Sequence, residues 1–184
     1  TKSLEYVNQA VALSAARQDS SLMMRSAFMK ATIFGFYDDA DSALVYYQQA
    51  IDMYRPGDEV FYAANGYTNI AGLLRNMGDE PKAEAYYLKG YEISRGDNYA
   101  WIFTLSRLIS FYASKNNPKY IAYLDTFSTS DFARTAPKAT VAAHLYTFLN
   151  ITDASVTEKE KKLREVYTFA KKQSSATHQV EFGI

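Results

Sequence analysis

Apolar residues recur three and four positions apart along most of the chain, the spacing that collects them on one face of a helix. In residues 2–17 the stripe is Leu4, Val7, Ala10 and Val11. After the polar turn Gln18-Asp19-Ser20-Ser21, a second stripe of Leu22, Ala27, Ala31 and Phe34 predicts a helix ending near Phe36. Asp38, Asp39 and Asp41 then place acidic groups at the start of a helix over about 40–54, where the macrodipole favours them. Arg55-Pro56-Gly57-Asp58 stops it, because Pro cannot continue a helix. Two more helices, about 59–77 and 81–95, are joined by Asn76-Met77-Gly78-Asp79-Glu80-Pro81. A further helix over about 98–114 carries Trp101, Leu105, Leu108, Ile109 and Tyr112, and its partner opens at Pro118. Ser128 to Asp131 reads as a longer break, Pro137 opens a helix through about Asn150, and a charged helix spans about 156–173.

The pattern repeats. Ala43, Tyr46, Tyr47, Ala50, Ile51 and Arg55 stand forty positions before Ala83, Tyr86, Tyr87, Gly90, Tyr91 and Arg95. The same shift lays Leu4, Val7, Ala10 and Val11 on Leu44, Tyr47, Ala50 and Ile51, so residues 2–17 read as the second half of a hairpin. The predicted organisation is one helical repeat domain over 1–173: a leading helix, then hairpins at about 20–55, 59–95, 98–128 and 136–173. Residues 174–184 lose the periodicity and read as a tail or linker.

Composition narrows the chemistry. The chain of 184 residues is 48% hydrophobic and 22% charged, in the globular range, with Lys+Arg and Asp+Glu balanced at 20 each. No excess of positive charge points to nucleic acid, and no apolar run approaches the roughly 18 residues of a membrane span. With no Cys, disulfides and thiolate chemistry are excluded, and both cytoplasm and periplasm stay open. A start at Thr1 without a signal-peptide core fits an excised or processed segment.

Catalytic motifs are missing. GxxxxGK[ST], GxGxxG and GxSxG do not occur, and neither His144 nor His178 belongs to an HExxH pair. Asp38, Asp39 and Asp41 lack the Gly and Glu of a calcium loop, since Leu44 and Ala50 stand in those places counted from Asp39. The reading is therefore a non-enzyme with no metal and no cofactor. The 16 Tyr and 11 Phe, spaced along helices, read as packing residues.

The stretch 64–97 resembles a tetratricopeptide repeat. Tyr67, Ile70, Ala71 and Leu74 stand at its first-helix positions, Gly78-Asp79 at its turn, and Ala83, Tyr87 and Gly90 at its second-helix positions. Residues 24–57 keep Ala31, Phe34, Ala43, Tyr47 and Ala50 but have Asp38-Asp39 in place of the Gly-Asp turn. Farther along, Leu108 occupies a small position and Asn116-Asn117 replaces the turn. The resemblance implies an all-α fold, a right-handed superhelical solenoid of about nine helices. The long repeat spacing resembles arrays found in bacterial signalling regulators.

In such an array the first helix of each unit lines a concave face that holds a peptide or partner segment. The residues so placed are Arg25, Met29 and Thr32 in the first hairpin, Asn65, Thr68, Asn69, Arg75 and Asn76 in the second, and Ser106 and Arg107 in the third. The amides suit a peptide backbone, and the arginines suit carboxylates. The expected role is a protein-interaction or sensor module with a protein or peptide partner, without nucleic acid and without membrane insertion. The alternative is a structural segment that forms a homodimer through a terminal helix.

Overall fold

The computed structural model describes residues 2–137 together with 140, 141, 144, 148, 155, 157, 160, 161 and 164. Among them are eight α-helices and no strand: α1 Lys2–Ala16, α2 Ser20–Phe36, α3 Ala40–Met53, α4 Val60–Asn76, α5 Glu80–Ile93, α6 Asn98–Ala113, α7 Lys119–Ser128 and α8 Asp131–Thr135. The leading helix and three expected hairpins thus correspond to α1 through α7. The fourth hairpin, about 136–173, and the tail 174–184 lie largely or wholly outside the described residues. One expectation is corrected at the break after Ser128. The break is confined to Thr129 and Ser130, and the short helix α8 follows it, with Ser130 capping α8 by accepting the Ala133 N–H at 3.1 Å.

The chain divides into two compact units, Thr1–Arg107 and Leu108–Ile184, with the boundary inside α6. In the first unit each helix from α1 to α5 packs on the next, and α2 also meets α4. The core around α2, α3 and α4 is built from Met24, Phe28, Tyr47, Ile51 and Ile70, with Ala31, Ala43 and Ala50 wholly buried between the backbones. Small residues at these positions let helices approach closely. At Gly90 the approach is closest: an added Cβ would lie 2.9 Å from the Ala64 carbonyl oxygen and 3.1 Å from Thr68 Cγ2.

The turns after α1, α2, α4 and α6 share one conformation. Gln18, Asp38, Gly78 and Asn116 all have positive φ, between 52° and 84°. In each case the next residue's N–H reaches back to a carbonyl in the last helical turn: Asp19 to Ser14, Asp39 to Phe34, Asp79 to Leu74 and Asn117 to Tyr112. This is the left-handed helix ending that glycine adopts without strain and that Asn or Asp tolerates. Asp38-Asp39 and Asn116-Asn117 therefore build the same turn as Gly78-Asp79, where the sequence pattern suggested its loss. Asp19, Asp39 and Asp79 then cap the following helices, accepting the N–H of Leu22, Ser42 and Lys82.

In the second unit the rings of Tyr112 and Tyr123 stack 5.6 Å apart, and Phe127 packs against Phe132 and Phe148. His144 lies against the same cluster, 5.9 Å from Phe127, and burial holds its imidazole below the usual histidine range. Among the described residues no group of His, Asp or Glu converges as metal ligands would, and no helix is long and apolar enough to cross a membrane.

Candidate partner-binding face

The ten first-helix residues fall on α2, α4 and α6, and the structure gives them different work. Arg25 pairs with Glu59 at 3.4 Å and lies 5.3 Å above the Tyr62 ring. Met29, Arg75, Asn76 and Arg107 are exposed. Ser106 donates its hydroxyl to the Phe103 carbonyl at 2.7 Å. Thr32 donates to the Phe28 carbonyl and accepts from the Tyr47 hydroxyl at 3.2 Å, and Asn69 acts with it to oppose the rise in the Tyr47 pKa.

Thr68 departs from the expectation. It is 3% exposed, its hydroxyl bonds the Asn65 carbonyl, and its methyl meets Gly90, so it packs α4 on α5 and faces no solvent. The cause is that α4 packs on α3 through Gly66, which abuts Ile51, and on α5 through Thr68. A helix with two seams buries a wider arc than the single stripe in its sequence suggests. Asn65, beside it, has its Oδ1 buried without a hydrogen-bond partner among the described residues.

A feature the sequence reading assigned to packing lies on this face. Phe61 of α4 contacts Tyr99 and Phe103 of α6 at 5.0 and 5.8 Å, and Tyr99 is 71% exposed. Arg107 caps the Phe103 ring at 5.0 Å, as Arg25 caps Tyr62. The signal available was the Phe61-Tyr62 pair at the start of α4 and the four-residue spacing of Tyr99 and Phe103.

Burial raises the pKa of the Tyr87 hydroxyl, while the positive charges of Arg75 and Arg107 act in the opposite direction. Both guanidiniums therefore sit close enough to the same hydroxyl to influence it, and neither has an acidic partner among the described residues. Burial likewise raises Tyr47, opposed by its bond to Thr32 and by Asn69. Two exposed guanidiniums without an acidic partner and an exposed aromatic ring, Tyr99, are groups that can contact a chain segment. They include no nucleophile paired with a base.

None of the ten residues lines the open groove of about 470 Å³ that runs between α3 and α5. Its surface is mainly apolar, and its lining includes Leu44, Ile70 and Leu74 together with Gln48, Asp52 and Lys82.

No protein-family model matches the chain, and no curated protein matches it. Among solved structures it is similar to the crystal structure of BtubC (BKLC) from P. vanneervenii, at 15% sequence identity and a TM-score of 0.58, over 96% of this chain and 72% of that one. At that identity the likeness speaks for the helical fold alone.

Proposed function

We propose that the chain is a non-catalytic interaction module of the tetratricopeptide-repeat type, a solenoid binding a peptide or partner segment along the face formed by α2, α4 and α6. The observation that carries this reading is the pair Arg75 and Arg107. Both are exposed, both act electrostatically on the Tyr87 hydroxyl, and neither has an acidic partner among the described residues. Cations left unpaired beside exposed aromatic rings favour an acidic segment, because guanidinium binds carboxylate bidentately. A role within a larger bacterial signalling regulator belongs to the same proposal and rests on the resemblance in repeat spacing.

The Arg75→Glu/Arg107→Glu double variant tests it in partner capture from the source cell, with circular dichroism as the folding control. Capture should fall at least tenfold with helicity unchanged, and equal capture by the variant sinks the reading. A second reading, self-association through the terminal helix, is favoured by α1, whose exposed Tyr6 and Leu13 stand seven residues apart on one face. A strict monomer in sedimentation at high micromolar concentration removes it.

A further inference from the structure

The groove between α3 and α5 differs from its surroundings in charge as well as in shape. Forty residues on, the positions of Leu44, Val45 and Asp52 hold Glu84, Ala85 and Glu92. Glu92 is neutralised by Arg95 at 3.5 Å. Arg55, the counterpart of Arg95, instead turns its guanidinium onto the backbone carbonyls of Asp52 and Tyr54, at 2.8 and 2.9 Å. The Asp52 carboxylate is thus left exposed, without a cation partner among the described residues.

Its orientation is nevertheless held. The Tyr86 hydroxyl donates to Gln48 Oε1 at 3.4 Å, and Gln48 Nε2 donates to Asp52 at 2.8 Å, a chain that runs from α5 to α3. Lys82, on the α5 side, is already paired with Asp79 at 2.7 Å. The groove therefore presents an apolar interior, an exposed Val45 (54%) and one uncompensated, positioned negative charge.

From this charge complementarity we infer a second docking site, distinct from the α2/α4/α6 face. Its occupant is a partner segment that inserts one large apolar side chain between α3 and α5 and sets an Arg or Lys, one helical turn away, against Asp52. The apolar insertion supplies the affinity, and the carboxylate selects basic over acidic segments.

The probe is a capped 13-residue alanine-based helical peptide carrying one Phe and one Arg four positions apart, with a twin bearing Glu for Arg. Both are titrated into the full chain while methyl NMR signals of Leu44, Val45, Ile70 and Leu74 are followed. Saturable shifts confined to those methyls are expected with the Arg peptide. The Glu twin and the Asp52→Asn variant should each bind about fivefold more weakly, the scale of one exposed ion pair. Asp52→Glu should restore binding, and Glu92→Gln, an exposed control, should leave it unchanged. Equal binding by the Arg and Glu peptides, or by Asp52→Asn, overturns the proposal. So do shifts that appear on the Arg75 and Arg107 face instead. A concentration-dependent dimer that Val45→Arg makes monomeric would assign the groove to a second copy of the chain and would likewise overturn it.

Discussion

The hairpins α2–α3 and α4–α5 are the same construction made from different residues. Ala31, Ala43 and Tyr47 correspond to Ala71, Ala83 and Tyr87, and each member is buried to the same degree as its counterpart. Around that shared frame the choices diverge: Asp38 against Gly78 at the turn, Ala50 against Gly90 at the close approach, Thr32 against Gly72 beneath the tyrosine hydroxyl. The difference teaches that the buried spacing defines the unit. The turn and the depth of helix contact are adjustable within it.

The largest expected effect breaks the equivalence at the close approach. Gly90→Ala sets a Cβ against the rigid Ala64 carbonyl, and overpacking of this kind costs about 1–3 kcal/mol. The reciprocal Ala50→Gly should cost about 1 kcal/mol, mostly from backbone entropy. Urea unfolding of the two variants measures the gap, and equal losses would mean the hairpins are packed to the same depth. A smaller effect, of opposite sign in the two units, is expected at the turn. Gly78→Ala forces an alanine into positive φ at about 1 kcal/mol, whereas Asp38→Gly relieves that strain and should stabilise by about 0.5 kcal/mol.

The smallest effect is electrostatic. The Lys82 ammonium, bonded to the Asp79 carboxylate, holds Asp79 below its ordinary pKa and raises its own. A carboxyl depressed in the folded state contributes stability that is complete above its unfolded pKa, near 4, and is lost as pH falls through the folded value. Lys82→Gln should move the Asp79 titration upward in carbon-detected NMR and flatten the acid limb of stability slightly. An unmoved titration would show that the ion pair does not form in solution.

Much of this was legible in the sequence because helix faces are written in spacing. Trp101, Leu105, Leu108, Ile109 and Tyr112 form one stripe in the sequence, and all five are buried. The proposed binding face was harder to read. Assigning Thr68 to it assumed that α4 has one seam, while contacts with both α3 and α5 enclose that position. At Asp38 the sequence lacks the glycine that marks the Gly-Asp turn, yet a short polar side chain also tolerates positive φ. The unpaired state of Asp52 could not be read at all, since it depends on where the Arg55 guanidinium points.

The Tyr47 hydroxyl, bonded to Thr32 of its own hairpin and influenced by Asn69 of the next, bears on how the molecule opens. A fluctuation that lifts α2 and α3 away from α4 must part Tyr47 from Asn69 and bare the phenol to water together. Local opening of the first hairpin is thereby linked to loosening of the second, and amide exchange across α2, α3 and α4 should proceed as one cooperative block rather than hairpin by hairpin.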